Sequence, residues 1–302
     1  MTPAEQAALA VLQNSPNFRV LHRMDPASLA AAPSSDGAPR ERIVLLDTET
    51  TGKDHRTDKV IELGMVKFEV NPVTRAFLGV VGKYSALEDP GFPIPPEASK
   101  VNGIRDEDVH GQRFSEADIA DFVKDATLVI AHNAEFDRKF CERRFPSVFT
   151  DISWGCSRHQ VDWGAQGVES AKLAYIAYRL SFFYEAHRAV NDCLATLYAL
   201  TRPRQDGTTA LQELLGNAHK EDRHIWAMDT PYETKDILKK RGYRWSDGSE
   251  PGQPKSWHVE VPEDLMAAEV DWLGQNVYRR RTGDLPLKIA PIDARTRFSG
   301  RA

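Results

Sequence analysis

The chain has 302 residues and a formal net charge of −5, with 41% hydrophobic and 27% charged residues. These proportions describe an ordinary globular protein with room for one large domain and a smaller one. They exclude a protein that coats nucleic acid passively through its positive charge. No apolar run approaches the ~18–20 residues of a membrane-spanning helix, and no basic stretch of the signal-peptide kind opens the sequence. We therefore expect no membrane association.

The first 41 residues predict a helix followed by a linker. Residues 3–14 favour a short helix with Pro3 near its start, and residues 18–21 suggest a brief strand. From Asp25 to Glu41 the chain is rich in Ala, Pro, Ser, Asp and Gly, which is typical of a loosely held connection. We expect the main domain over residues 42–216.

Two acids follow the first buried strand of that domain. Ile43 to Leu46 are four apolar residues that predict the strand, and Asp47 and Glu49 come directly after it. Because side chains alternate along a strand, the two carboxylates point the same way, less than ~7 Å apart. They repel each other unless a cation or a proton neutralises them. Taken alone, this pattern also fits a surface turn with solvated acids.

The next elements predict a mixed sheet. Residues 59–70 and 77–84 favour two strands that most simply form an antiparallel meander with the first. Residues 127–131 predict another buried strand, with a helix beginning beyond Asn133. A strand and helix after a meander indicate an α/β sheet covered by helices. Asp137 would then lie in the first helical turn, near the strand end where open α/β sheets bind ligands.

A change of composition predicts a second, smaller unit. Residues 224–281 favour a β-α-β-β-α module, and residues 282–302 favour an arm without a core of its own. Basic and aromatic side chains alternate in the module: Lys235, Lys239, Lys240, Arg241, Arg244, Tyr243, Trp245 and Trp257. They are consistent with a nucleic-acid surface, with contact to a protein, or with plain packing.

The sequence also contains a set of groups suited to phosphodiester hydrolysis, namely Asp47, Glu49, Asp137, His187 and Asp192. This reaction needs an activated water, neutralisation of negative charge and help for the leaving oxygen, and two Mg²⁺ or Mn²⁺ ions provide all three. Such hard cations prefer carboxylate oxygens. A neutral histidine can accept the proton of the attacking water.

Three motifs resemble those of the DEDDh exonucleases, the family of the bacterial DNA polymerase III proofreading subunit, RNase T and oligoribonuclease. They are LDTETTG at residues 46–52, HNAEFD at 132–137 and HRAVND at 187–192. The resemblance covers roughly residues 42–202, and the step from His187 to Asp192 is that of the histidine branch. Residues 182–186 depart from the family by being more aromatic than its usual short polar loop.

The resemblance implies an RNase H-like fold, a mixed five-stranded sheet flanked by helices, here with the small C-terminal α+β module added. It also implies roles for individual residues. Asp47, Glu49 and Asp192 would hold one metal ion, and a second would lie between Asp47 and the scissile phosphate. Asp137 would act mainly through a water, and His187 would be the general base.

The resemblance further implies a binding site for the terminal 3′ nucleotide. The backbone of Thr48, Thr50 and Thr51 would hold that nucleotide, while Asn133 and Phe136 would shape the site beside Asp137. The three cysteines, Cys141, Cys156 and Cys193, share no paired spacing and suit a reducing cytoplasm, where we expect the protein.

The expected function is therefore metal-dependent 3′→5′ exonuclease activity on single-stranded ends of DNA or RNA. One alternative is an RNase for short oligonucleotides on the same fold. The other is a nucleic-acid-binding or polymerase-associated subunit with incidental activity. A polymerase or another protein could bind through the C-terminal module.

Overall fold

The computed structural model of the protein describes residues 2–31, 37, 39–249 and 252–300. The chain divides into two units, Met1–Leu215 and Gly216–Ala302. Among the helices within these ranges, none has the length and apolarity that crossing a lipid bilayer requires.

The first unit contains most of the regular elements. Its strands are β1 His22–Arg23, β2 Glu41–Thr50, β3 Val60–Val70, β4 Phe77–Leu87, β5 Leu128–Ala131, β6 Trp154–Cys156 and β7 Phe182–Phe183. Its helices are α1 Pro3–Gln13, α2 Pro96–Asn102, α3 Asp106–Val109, α4 Glu116–Val123, α5 Ala134–Arg144, α6 Pro146–Phe149, α7 Leu173–Arg179 and α8 Ala189–Leu200, and α9 Ala210–Ala218 crosses the division between the units. Short 3₁₀ turns lie at Pro26–Leu29 and Gly164–Gln166.

Five strands form the main sheet in the order β4-β3-β2-β5-β6. The β2–β3 and β3–β4 pairs are antiparallel, whereas β5 runs parallel to β2 and β6 parallel to β5. The apolar run from Ile43 to Leu46 places β2 at the buried centre of the sheet. The predicted mixed α/β sheet flanked by helices is confirmed.

Helix α8 packs across β2 and β3, and a glycine permits the close approach. Gly64 lies opposite Asp47 in the β2–β3 pair. A Cβ at this position would lie 2.4 Å from the backbone nitrogen of Val190 and 2.6 Å from the Cβ of Ala189. The absence of a side chain at Gly64 therefore sets how near the start of α8 lies to the end of β2.

The N-terminal segment is more ordered than the predicted linker. Strand β1 forms at His22–Arg23, just after the predicted residues 18–21, and pairs in parallel with β7. Asp25 then caps the Pro26–Leu29 turn by accepting the Ala27 N–H, and Leu29 is buried. The prediction of a loose connection is wrong over this part because Leu29 belongs to the core. Residues 32–36 and 38 of the predicted linker lie outside the described residues.

The second unit is built on an antiparallel sheet. Its strands, β8 Asp222–Ala227, β9 Arg244–Ser246, β10 Ser256–Pro262 and β11 Leu287–Ile292, lie in the order β11-β8-β10-β9. Helices α10 Lys235–Arg241 and α11 Met266–Leu273 are followed by a π-helical turn at Gly274–Tyr278, and 3₁₀ turns lie at Tyr232–Thr234, Glu263–Leu265 and Thr282–Asp284. Its core includes Ile225, Leu238, Tyr243 and Leu273. The predicted small α+β module is confirmed.

The predicted arm over residues 282–302 is wrong in its central part, because β11 pairs with β8 along its whole length. Pro291 weakened the case for a strand, but β11 lies at the edge of the sheet, where a residue without an N–H is tolerated. Beyond it, the Arg297 guanidinium donates to the carbonyls of Ala218 and Lys220 and to the Asp222 carboxylate. These contacts anchor the segment to its own unit.

We predict that Gly64→Ala lowers the free energy of unfolding by about 1–3 kcal/mol, because the new methyl group would have to displace the backbone of α8. Gly155→Ala in β6 is the matched control, since its Cβ would meet neighbours at an ordinary 3.4 Å. Urea denaturation measures both variants. Equal stability of Gly64→Ala and the unmodified protein would show that α8 does not depend on this contact.

Candidate active site

Three carboxylates meet where the end of β2 faces the start of α8. Each of Asp47, Glu49 and Asp192 has a ligand atom within 4.8 Å of the other two. Asp47 and Glu49 project from the same side of β2, as the two-residue period predicts, and Asp192 lies in the first turn of α8. All three side chains are partly buried. Glu49 and Asp192 are more than 140 residues apart in the sequence, and the fold brings them together.

The site makes ionisation of these acids unfavourable. Burial, followed by the charge of Asp137, raises the pKa of Asp47 well above its usual range. Burial and the charge of Asp192 raise the pKa of Glu49 to about 8. Burial also raises the pKa of Asp192, against the hydrogen bonds that the carboxylate accepts. A divalent cation would relieve this repulsion, which a single proton relieves only in part.

Asp137 lies beside the three-acid cluster in a different environment. Its Oδ1 accepts the Thr48 N–H at 3.0 Å and the Thr48 hydroxyl at 2.8 Å. The side chain is buried, and burial raises its pKa to about 7 although the Thr48 bonds oppose this shift. Asp137 is thus fixed against β2, the strand that carries Asp47 and Glu49, but it does not belong to the three-acid cluster.

Two residues that the sequence did not single out complete the surroundings of α8. Glu62 lies opposite Glu49 in the β2–β3 pair and is buried. Its carboxylate binds the Arg188 guanidinium through both Nε and Nη2 and accepts the Ala189 N–H at 3.2 Å. Helix termini favour such acceptors at their first N–H groups. An acid inside an otherwise apolar strand was the available signal for Glu62.

Tyr184 is the second of these residues. Its hydroxyl donates to Asp192 Oδ1 at 2.8 Å, while Asp192 Oδ2 accepts the Arg188 N–H at 3.1 Å. Burial and the neighbouring Asp192 charge raise the pKa of Tyr184, so its hydroxyl remains a donor. The aromatic departure at residues 182–186 was the signal in the sequence, but it did not identify which ring reaches the site.

His187 occupies a constrained backbone position at the edge of the site. Its side chain is exposed, and its φ of +64° is in the left-handed region, which costs a residue with a Cβ roughly 1–2 kcal/mol. Asp192 accepts its backbone N–H. Among the described residues, His187 does not belong to the cluster that could hold a metal. The structure therefore brings its backbone to Asp192 while its ring faces solvent.

The threonines predicted to hold a nucleotide are already hydrogen-bonded within the protein. Thr48, Thr50 and Thr51 are all buried. The Thr48 N–H donates to Asp137, and the Thr51 N–H donates to the carbonyl of Lys59. The Thr50 hydroxyl donates to the Gly52 carbonyl. A role in substrate binding remains a prediction for these residues. The N–H groups of Thr48 and Thr51 already donate hydrogen bonds within the protein.

Asn133 and Phe136 lie in a pocket of about 220 Å³, which is lined by Lys53, His55, Asn133, Glu135, Phe136, Lys139 and Phe140. The Phe136 ring packs on Phe140 with centroids 4.8 Å apart, and the ring of His55 meets Phe140 edge-on. The pocket thus joins aromatic faces to basic side chains at the start of α5. Lys53, His55 and Lys139 were not singled out by the sequence.

The donor set fits a hard divalent cation. Oxygen ligands from several carboxylates are the usual partners of Mg²⁺ and Mn²⁺. Asp47, Glu49 and Asp192 are close enough to share an ion, and their raised pKa values show the electrostatic cost that an ion would remove. The cluster is therefore suited to holding a divalent metal ion.

In the second unit, the basic and aromatic residues divide between core and surface. Tyr243 and Trp257 are buried, and the Arg241 guanidinium binds the Glu269 carboxylate. Trp245 is 50% exposed and meets the Trp257 ring edge-on at 5.6 Å. Plain packing thus explains Tyr243 and Trp257 but leaves Trp245 on the surface.

The fold and the acid cluster together define a site suited to a metal ion at the carboxyl end of the central strand β2. Residues 44–200 match the family model described as exonuclease, RNase T. This match covers more than half of the chain, and the protein belongs to the RNase T family of exonucleases.

Several known proteins are similar to the chain. The DNA polymerase III subunit epsilon of Treponema pallidum is 40% identical over 97 residues, covering 31% of this chain and 41% of that protein. The PolC-type DNA polymerase III of Thermotoga maritima is 29% identical over 185 residues, covering 57% of this chain and 13% of that protein. The zinc-bound E. coli exonuclease I complex with single-stranded DNA aligns with a TM-score of 0.48 and 14% identity, over 78% of this chain and 68% of that one. The chain thus spans less than half the length of these two curated relatives.

We predict that the protein in EDTA loses stability as pH rises from about 5 to about 8. Asp47, Glu49 and Asp137 have raised pKa values in the folded state, so the unfolded chain releases their protons at lower pH than the folded protein does. The stability that these protons contribute is fully present below the pKa values of the unfolded chain. It is lost as pH rises through the pKa values of the folded protein, which reach about 8 for Glu49.

Urea denaturation at successive pH values in EDTA tests this prediction. Asp47→Asn should flatten the decline, whereas Asp121→Asn, an exposed acid paired with Lys124, should leave it unchanged. Saturating Mn²⁺ should reverse the trend because a cation competes with protons for the same oxygens. Stability that rises with pH in EDTA would contradict the electrostatic description of the site.

Proposed function

We propose that the protein is a metal-dependent 3′→5′ exonuclease that hydrolyses phosphodiester bonds at the 3′ ends of single-stranded DNA or RNA. The observation that carries the proposal is the cluster of Asp47, Glu49 and Asp192, which lies within the segment matched by the exonuclease family. Four clustered acids, including Asp137, have no purpose in a protein that only binds nucleic acid.

Asp47, Glu49 and Asp192 would hold one Mg²⁺ or Mn²⁺ ion, Asp47 would also hold a second, and Asp137 would act mainly through a water. When bound, such ions supply charge neutralisation, an activated water and support for the leaving oxygen. His187, exposed next to Asp192, would accept the proton of the attacking water. The Asp192 carboxylate accepts hydrogen bonds from the His187 and Arg188 N–H groups, which keep it turned toward the start of α8.

The pocket at the start of α5 would receive the terminal nucleotide. Asn133 and Phe136 line it, and Lys53 and Lys139 add basic side chains to its lining. The backbone around Thr48, Thr50 and Thr51 would form its opposite boundary. A stacked aromatic face and a nearby cation are features that bind a nucleotide without reading its sequence.

A second candidate function follows from the relatives. One is named as the epsilon subunit of DNA polymerase III and another as a PolC-type DNA polymerase III. A proofreading role beside a polymerase would use the same chemistry. An RNase for short oligonucleotides on this fold is the other alternative. The length and sugar of the preferred substrate distinguish these possibilities.

We predict stepwise shortening of 5′-labelled single strands from their 3′ ends in Mg²⁺ or Mn²⁺, and none in EDTA. Asp47→Asn should abolish it because the cluster loses a ligand charge, and His187→Ala should lower kcat by about 10²–10⁴ with little change in KM. Asp121→Asn and the exposed His110→Ala are the matched controls.

DNA, RNA, blunt duplex and very short oligonucleotides should be compared in the same gel assay. Activity that persists in EDTA or in Asp47→Asn would refute the proposal. Preference for RNA of a few nucleotides would favour the short-oligonucleotide alternative, and preference for unpaired DNA 3′ ends would favour the proofreading role.

For the second unit, we predict that Trp245→Ala leaves its fold intact and weakens binding of single-stranded DNA. The Trp245 ring is 50% exposed, and one stacked base is worth roughly 1–3 kcal/mol. Trp257→Ala should instead lower the thermal stability because its ring belongs to the core. Fluorescence anisotropy and circular dichroism measure the two effects. Unchanged affinity in Trp245→Ala would show that this ring does not hold nucleic acid.

A further inference from the structure

The segment that joins β7 to α8, residues 181–187, is bounded by two unusual backbone positions. Ser181 has a φ of +60° and His187 a φ of +64°, and neither is a glycine. Such conformations persist only where neighbouring contacts hold them. The contacts that hold this segment come from two sides.

From one side the segment is held by residues 19–24, which we call the strap. The His22 N–H donates to the Ser181 carbonyl and the Met24 N–H to the Phe183 carbonyl, both at 2.9 Å. Met24 is buried, and the Arg23 guanidinium binds the Glu185 carboxylate. The strap is thus paired to the segment through its main chain and anchored by a core residue.

A second pair of contacts ties the strap to the helix before the segment. The Arg19 guanidinium donates to the carbonyls of Tyr178 and Arg179 at 2.8 Å each, and lies 4.2 Å from the centroid of the Tyr178 ring. The strap precedes residues 44–200, the part that matches the exonuclease family. The strap therefore lies outside the matched region and contacts the segment leading to His187.

On the other side, the segment is held through its own Tyr184, which bonds to Asp192 of the three-acid cluster. Tyr184 donates to Asp192 Oδ1 at 2.8 Å, and the Arg188 N–H donates to Oδ2 at 3.1 Å. The carboxylate also accepts the His187 N–H. Because a carboxylate offers about four acceptor positions, these three bonds orient it and still leave room for a cation. Groups that orient a metal ligand in this way are often nearly as important as the ligand.

We propose that Tyr184 is a positioning residue for Asp192, and that the strap keeps Tyr184 in place by pairing with the segment that carries it. The proposal rests on the metal-dependent function argued above. It assigns to the N-terminal residues a role in the metal site, although they do not contact the acids. The order of contacts runs from His22 and Met24 to Ser181 and Phe183, and then through Tyr184 to Asp192.

Tyr184→Phe tests the first step, because it removes the hydroxyl and keeps the ring that packs near Phe182. We expect the dissociation constant for Mn²⁺ alone, measured by the electron paramagnetic resonance signal of the free ion, to rise about 10–100-fold. The melting temperature in EDTA should change little. Tyr175→Phe is the matched control, since that hydroxyl donates to Glu169. The same Mn²⁺ affinity in Tyr184→Phe and the unmodified protein would overturn the proposal.

His22→Pro tests the strap, because it removes the N–H that donates to Ser181, whereas His22→Ala keeps that N–H and loses only the side chain. We expect weaker Mn²⁺ binding in His22→Pro and unchanged binding in His22→Ala. If the strap acts through Tyr184, adding His22→Pro to Tyr184→Phe should not weaken binding further. Additive effects of the two substitutions would refute the route through Tyr184.

Mn²⁺ binding and hydrolysis by the unmodified protein distinguish a failure of this proposal from a failure of the proposed function. Failure of the unmodified protein to bind Mn²⁺ and to hydrolyse 5′-labelled strands would remove the proposed function and the inference with it. Normal binding and hydrolysis, together with a silent Tyr184→Phe, would remove the inference alone.

Discussion

Mutual repulsion between carboxylates at one end of β2 is the constraint on which the rest of the site depends. Asp47, Glu49 and Asp192 share a small volume from which water is partly excluded, so each raises the cost of ionising the others. A fold optimised only for stability would not assemble such a group. The surrounding structure holds it in place, since Gly64 lets α8 approach β3, and Glu62 with Arg188 secures the start of that helix.

The sequence could predict the parts of this arrangement that depend on local periodicity. The apolar run before Asp47 predicts β2, the two-residue alternation places Asp47 and Glu49 on one side, and the mixed sheet follows from the order of strands and helices. Glu62 and Tyr184 were not predicted, because their contacts depend on the folded structure. Glu62 binds Arg188, which is distant in the chain, and the Tyr184 hydroxyl reaches Asp192 only because α8 begins beside it. Strand β11 was missed because Pro291 suggests a break, whereas an edge strand tolerates it.

The hydrogen bonds of the site also divide the predicted residues by what they can do. Asp137 accepts both the Thr48 N–H and the Thr48 hydroxyl, so Thr48 helps to fix an acid of the site. His187 keeps its side chain in solvent while its backbone faces Asp192, an arrangement that leaves the imidazole free to meet a substrate. The positive φ at His187 and the pairing of β1 with β7 show that this position is held by the fold and is not a loose loop end.

We propose that the carboxylates of Asp47, Glu49 and Asp192 hold a divalent ion that supports hydrolysis. Anomalous diffraction from crystals soaked in Mn²⁺ tests it most directly, because the scattering locates the ion without reference to activity. We expect an anomalous peak in contact with the carboxylates of Asp47, Glu49 and Asp192, and its loss in Asp47→Asn crystals. The absence of a peak there at saturating Mn²⁺, or peaks confined to other surfaces, would contradict it.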